Sequence, residues 1–367
     1  MDKRLKTTLG GIALENPVLP GSGPHTGDLE RMLFLANEQK VGAVVTKTIA
    51  PEAAKVQRPC IVSGANAIMN CELWSEYDAA RWVEDFLPGY RCGSKTPVLA
   101  SVGYSPEDLK KLIPQLDPFV DGYELNPRYS SLDFAPIGEF VAIARQMTKK
   151  PFWVKMNGAS FAKPVEYAEI CMKNGALGVT AATAIGPNMV IDLKKRGPVI
   201  GTAGGGYVWT SGPAIKPYAL AMIHMIKSGI PEISIIGTGG VGSAEDVVEY
   251  LLAGADAVQM LSIAMLKGRD MYGKVISGLT GVLDRYGFAD VDEVKNTAMV
   301  LPQEKLTPSF PRVDAGKCKR CGICIRNCPY FAFGETEDKL PVVDTNKCFG
   351  CGLCQSLCPS NAIEGVL

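Results

Sequence analysis

EISIIGTGGVGSAEDVVEYLLAGADAVQML, Glu232 to Leu261, decides between two folds. Its β-branched start reads as a buried strand, Ser243 opens a helix running to Ala253, and ADAVQML reads as a second buried strand. Gly237 to Gly242 satisfies the spacing GxGxxG. A dinucleotide-binding fold would also need an acid at the far end of the second strand, to hold the ribose. Here Asp256 begins that strand and Gln259-Met260-Leu261 ends it. The glycines suit instead the phosphate pocket that a (β/α)8 barrel builds in the loops after strands seven and eight, where bare amides at a helix start attract an anion. Their plainer use is a tight strand-to-helix turn.

Upstream, the same alternation repeats. VLPGSG, VGAVVTK, PVLASVG, FVDGYELN, PFWVKMNG and ALGVTAATA read as six further strands, with helices from Asp28 to about Gln39, from Ser105, over Pro136 to Met147 and over Pro164 to Asn174. Strands alternating with helices at this interval imply parallel pairing through crossovers, and eight of them in about 250 residues imply a TIM barrel, in which chemistry sits at the carboxyl ends of the strands. Two segments break the rhythm. The opening LKTTLGGIALENP reads as a small hairpin, and Thr48 to Arg91 lacks steady periodicity and reads as including a long loop. A glycine-rich insertion, GPVIGTAGGGYVWTSGPAIKP, follows strand six.

Beyond the barrel lie two runs, CKRCGICIRNCP and CFGCGLCQSLCP. Each is CxxCxxCxxxCP, the bacterial ferredoxin spacing, in which three close thiolates hold one cluster and the fourth serves the other. Cys318, Cys321, Cys324 and Cys358 are thus expected to hold one 4Fe-4S cluster, and Cys348, Cys351, Cys354 and Cys328 a second. Zinc knuckles put a longer spacer between CxxC pairs and need no proline after each run. The expected division is a catalytic barrel over 1–305 and an α+β two-cluster ferredoxin domain over 306–367, joined through the proline-bearing linker 306–312.

Composition narrows the function. Lys plus Arg and Asp plus Glu number 38 each in 367 residues, so no field of one sign points to nucleic acid or a membrane surface. Eight of the twelve cysteines fall in the terminal runs, which argues for a reducing cytoplasm over secreted disulfides. No apolar run reaches signal-peptide or membrane-spanning length. Lys47 and Lys155 end the apolar strands VVTK and FWVK and should project into the barrel mouth, where an ammonium needs an anion or polar ligand unless it snorkels to solvent.

VVTKT, ELN, WVKMNG, SGPAIKPYAL and the block from GTGGV to ADAVQM together resemble the FMN barrel of the dihydroorotate dehydrogenase family over most of residues 5 to 300. With a two-cluster ferredoxin at its end, the chain resembles the iron-sulfur/FMN subunit of bacterial NAD-dependent dihydropyrimidine dehydrogenase. The resemblance implies an FMN held by Gly21, Ser22, Lys47, Thr48, Asn126, Lys155 and Thr183. Gly205, Gly206, Ser211 and Gly212 would approach its ribityl-phosphate chain, and Gly239, Gly240, Leu261 and Ser262 its phosphate. It also implies interconversion of C=C and CH–CH in a small cyclic substrate. Electrons would pass through the clusters to or from a NAD(P)H-oxidising flavoprotein subunit or a ferredoxin, in a homo- or hetero-oligomer.

Two motifs depart from the family. Its proton-transfer loop reads NLSCPN or NxSSPN, whereas this chain reads Asn126-Pro127-Arg128-Tyr129-Ser130-Ser131, which places Tyr129 in register. Strand six ends Thr183-Ala184-Ile185-Gly186, where pyrimidine-using members carry an asparagine and a serine. Tyr129, Ser130 and Ser131, with Lys47, are the catalytic candidates; Asn126, Arg128, His25 and Asn70 are the substrate-binding ones. A dihydropyrimidine dehydrogenase acting on uracil or thymine, and an electron-transfer subunit with an inert barrel, are the competing readings.

Overall fold

The computed structural model describes residues 2–128, 131–302 and 306–367, and divides into two compact units, Met1–Met299 and Val300–Leu367.

The first unit is built on eight strands: β1 (Val18–Pro20), β2 (Val44–Val45), β3 (Val98–Val102), β4 (Gly122–Leu125), β5 (Phe152–Lys155), β6 (Gly178–Ala181), β7 (Ser234–Thr238) and β8 (Ala257–Met260). They form one parallel sheet in the order β1-β8-β7-β6-β5-β4-β3-β2. Between the two ends, the Gly42 amide donates to the Val18 carbonyl at 2.8 Å and nearly closes the barrel. A Cβ on Gly42 would stand 1.9 Å from the Asn16 carbonyl oxygen, so only glycine permits that approach. This is the TIM barrel that the strand alternation implies.

Local chemistry starts the helices where the sequence indicates. Asp28 and Ser243 accept hydrogen bonds from Arg31 N and Asp246 N, and Ser105 with Asp108 makes a capping box for Pro106–Leu116. The largest apolar cluster lies between sheet and helices. A second fills the barrel interior, where Trp153, Leu19, Leu99 and Ile236 meet Leu9 and Leu14 of the opening hairpin, Thr7–Leu9 with Ile12–Leu14. That hairpin therefore plugs the barrel.

The two arrhythmic segments fold together. Residues read as a long loop contain the hairpin Ile61–Gly64 and Ala67–Asn70, which pairs with Val208–Ser211 from the glycine-rich insertion; Ile185–Asn188 completes a four-stranded antiparallel sheet. Strands this short, with exposed faces, carry too little periodicity to be read singly.

The second unit is an internal repeat with an offset of thirty residues, from Cys318 to Cys348. Helix Ile323–Arg326 answers Leu353–Ser356, and the left-handed Gly322 and Gly352 precede them. Each repeat closes on the other. Val313 pairs with Ile363 and Phe333 with Val343, while Asp314 N donates to Ala362 O at 2.8 Å and Asp344 N to Ala332 O at 2.7 Å. The start of one cysteine run is thereby held beside the end of the other.

Candidate functional site

At the carboxyl ends of the barrel strands lies a cavity of about 350 Å³, within the size range of ligand sites. Every strand end contributes directly or through its loop: Gly21 and Ser22 after β1, Lys47 and Thr48 after β2, Tyr104 after β3, Asn126 after β4, Lys155 and Asn157 on and after β5, Thr183 after β6, Gly239 and Gly240 after β7, and Leu261 and Ser262 after β8. The four-stranded sheet adds Ile61, Ile68, Asn70, Trp209 and Ser211.

Polar contacts fix this wall. Thr48 Oγ1 lies 3.2 Å from Ser22 Oγ and 3.0 Å from Ser101 Oγ, and Asn126 Nδ2 donates to it at 3.4 Å. Thr183 Oγ1 donates to Met156 O at 2.8 Å, and Ser211 and Ser262 share a hydroxyl contact of 2.8 Å. Gly239 and Gly240 have φ of +109° and +94°, and a Cβ on Gly240 would stand 2.9 Å from both Gly212 O and Lys216 N. Their backbone is left bare toward the cavity.

The lysines are not free. Lys47, 3% exposed, donates to both oxygens of Glu76 at 2.9 and 3.0 Å, with Glu72 at 3.6 Å. Lys155 donates to Glu124 Oε1 at 2.9 Å, while Gln259 Nε2 donates to Glu124 Oε2 at 2.6 Å. Glu124 is fully buried, and Gln259 Oε1 has no hydrogen-bond partner. Each ammonium thus meets an anion at the barrel mouth, supplied by a protein carboxylate, and both lysines line the cavity. Glu72, Glu76, Glu124, Gln259 and Tyr104 escape the motif reading. Glu72 and Glu76 lie in the segment read as irregular, while Glu124 and Gln259 sit on strands whose apolar neighbours conceal them.

Burial raises the Glu72 carboxyl above its usual range, against the opposing pull of Lys47 and with a further push from Glu76. Burial is also the largest influence on Glu76 and pushes it up, but the hydrogen bond and charge of Lys47, with a backbone hydrogen bond and Arg31, together hold it below the usual range.

Other sequence candidates lie elsewhere. Gly205 and Gly206 are absent from the cavity lining; they sit in a turn where a Cβ on Gly206 would meet Pro198. His25 also lies off the lining, with Nδ1 3.2 Å from Tyr272 Oη. Arg128 is exposed, its guanidinium 6.0 Å from the Tyr104 ring, and Ser131 Oγ accepts from Asp133 N at 3.1 Å. Tyr129 and Ser130 lie outside the described residues.

In the second unit, Cys318, Cys321, Cys324 and Cys358 line one small cavity, and Cys328, Cys348, Cys351 and Cys354 line another. The Ala332 and Ala362 amides donate to Cys328 and Cys358 Sγ at 3.4 and 3.2 Å, equivalent positions of the repeat.

Residues 4–283 match the family described as dihydroorotate dehydrogenase. The chain belongs to the dihydroorotate dehydrogenase family. It is accordingly an oxidoreductase acting on CH–CH groups, in a flavin-dependent family. Residues 317–362 match the 4Fe-4S dicluster domain. Similar curated proteins include the dihydroorotate dehydrogenase B (NAD(+)) catalytic subunit of Geotalea uraniireducens, 32% identical over 304 residues that span 79% of this chain and 96% of the relative. Proteins of the same name from Pelobacter propionicus and Pyrococcus furiosus are each 30% identical, spanning 80% and 79% of this chain and 98% and 97% of theirs. Among the described residues, no helix is long and apolar enough to cross a membrane.

Proposed function

We propose that the chain is an FMN- and iron-sulfur-dependent oxidoreductase that interconverts a C=C bond and CH–CH in a small cyclic substrate, with two 4Fe-4S clusters exchanging electrons with a partner. The observation carrying this reading is the strand-end cavity in which the glycine backbone at 212, 239 and 240 and the unpartnered Gln259 Oε1 converge. These groups fit FMN: bare amides beside helix starts suit a phosphate, and a lone buried acceptor suits a ring N–H. When bound, FMN supplies hydride exchange with carbon and single-electron exchange with clusters.

The chain's own residues do the rest. Gly212, Gly239, Gly240, Leu261 and Ser262 would hold the phosphate, and Ser22, Thr48 and Asn126 would position the ring through their shared hydroxyl contact at Thr48. Lys155, oriented by its hydrogen bond to Glu124, would stabilise negative charge at the ring's polar edge. Asn70 and Asn157 offer amides to the substrate. Proton exchange falls to the loop after β4, with Tyr129 first and Ser130 or Ser131 as alternatives. Cys318, Cys321, Cys324 and Cys358 would hold one cluster, and Cys328, Cys348, Cys351 and Cys354 the other.

The match to relatives called catalytic subunits supports a separate electron partner, either a NAD(P)H-oxidising flavoprotein or a ferredoxin. The test is a visible spectrum followed by anaerobic reduction. Flavin bands over a broad iron-sulfur shoulder, bleached by an artificial donor and left intact by NADH alone, are expected. A colourless protein sinks the reading, and full NADH-linked turnover by the isolated chain removes the partner.

A further inference from the structure

Three carboxyl groups stand around the two ammonium groups of the cavity wall. Lys47 and Lys155 are its cations, and Glu72, Glu76 and Glu124 all lie within 3.6 Å of one or the other. Lys155 and Glu124 neutralise each other, with Gln259 satisfying the second oxygen of Glu124. Lys47 is occupied by both oxygens of Glu76. Glu72 is then the surplus acid. Unlike Glu76, it faces the cavity, two residues after Asn70, which faces it too. At 3.6 Å from Lys47 it is ion-paired beyond hydrogen-bond length, and its side chain is 17% exposed.

We infer that Glu72 is the specificity residue of the substrate pocket, selecting an uncharged ring that bears an amide N–H and rejecting a ring that bears a carboxylate. The inference rests on the function proposed above and goes beyond it by fixing the substrate's charge class. A carboxylate entering this cavity meets Glu72 on the wall, and among the described lining residues both lysines are already paired with protein carboxylates; burying an unpaired anion is strongly unfavourable. Burial raises the Glu72 carboxyl, with a further push from Glu76, and the same desolvation acts on any second carboxylate beside it. A ring N–H, by contrast, gives Glu72 the charge-assisted hydrogen bond it lacks, roughly twice as strong as one between neutral groups. The amides of Asn70, Asn126 and Asn157 are available to the carbonyls of such a ring. The dihydroorotate named for the relatives carries a carboxylate, so family membership alone would suggest the opposite charge class.

Orotate and its methyl ester share one ring and differ in the charge, so they form the probe pair. Each is titrated into the holoenzyme while perturbation of the flavin spectrum is followed. The wild type should bind the ester at least tenfold more tightly than orotate, and Glu72→Gln should narrow that ratio at least tenfold, whereas Glu72→Asp keeps it. If Glu72→Gln loses its flavin, Glu76→Gln should move the ratio the same way by freeing Lys47. Orotate binding as tightly as the ester in the wild type overturns the inference, as does a ratio that neither Gln variant changes, or silence from both probes. A preparation without flavin bands breaks the proposed function before any probe is added. A flavin-bearing enzyme that prefers orotate breaks only the assignment of Glu72.

Discussion

The two cysteine cavities and the barrel cavity are assembled in opposite ways. In the second unit, three cysteines of each cavity fall within seven residues, on a turn and one short helix, and only the fourth comes from the other repeat. In the barrel, lining groups run from Gly21 to Met265, and every strand end supplies some of them. The first kind of site is written in spacing, because a local turn fixes its geometry. The second is written in topology, so its members become neighbours only when the sheet closes.

The largest effects should come from the crossing ligands. Cys358→Ser is expected to abolish the cluster of Cys318, Cys321 and Cys324 and to lower bound iron by about half, one cluster of the two. Adding Cys318→Ser to it should remove little more iron, whereas adding Cys348→Ser should remove nearly all. Iron and sulfide analysis with electron paramagnetic resonance of the reduced protein distinguishes these outcomes. Losses that follow sequence proximity, with Cys348 and Cys358 acting as one set, would refute the interleaving. The apolar core of this unit is small, centred on Cys324, Phe333 and Ile363, so iron loss should also unfold it.

In the barrel, the counterpart is the pair Lys155 and Glu124. Glu124→Ala leaves a mostly buried ammonium unpaired and Gln259 without its acceptor, which typically costs about 3–5 kcal/mol. Thermal denaturation should show a large fall in midpoint. A change within error would mean that the pair is solvated.

A smaller effect tests the bare backbone. Gly240→Ala forces a left-handed residue, at about 1–2 kcal/mol, and places a methyl group 2.9 Å from Gly212 O and Lys216 N. Gly204→Ala at φ +85° has nothing within 4 Å of its Cβ, so it carries the backbone cost alone. The flavin-to-protein ratio after gel filtration should fall in the first variant and hold in the second. Equal ratios would dissociate Gly240 from the phosphate.

The same contrast explains what could be read in advance. The strand and helix alternation carried the barrel, since each buried strand is an apolar run and each helix has its cap. The glycine pairs and strand-end polar residues carried most of the cavity wall. Glu72 and Glu76 were hidden because they follow a hairpin whose second strand is held by a segment some 140 residues onward, Asn70 opposite Trp209. Gly205 and Gly206 misled for the complementary reason. Their glycine-rich composition suggests a ligand, yet left-handed φ at Gly206 and packing beside Pro198 account for one of them as a turn.

His25 gives the smallest expected effect. Sequence position, just beyond GSGP at the first strand's mouth, suggests substrate contact; the ring instead meets Tyr272 at 3.2 Å, outside the lining of the cavity. Burial lowers its pKa, helped by Arg31 and Arg269, so the folded protein favours the neutral ring. A histidine whose folded pKa is depressed contributes stability above its unfolded value, near 6.5, and loses that contribution as pH falls toward the folded value. His25→Phe should therefore cost about 1 kcal/mol at pH 8 through the lost hydrogen bond. The deficit should shrink as pH falls below about 6.5, because the variant has no ring to protonate. Turnover and its pH profile should be unchanged. A shifted pH profile of kcat/KM at unaltered stability would return His25 to the substrate and make the first strand's loop part of the chemistry.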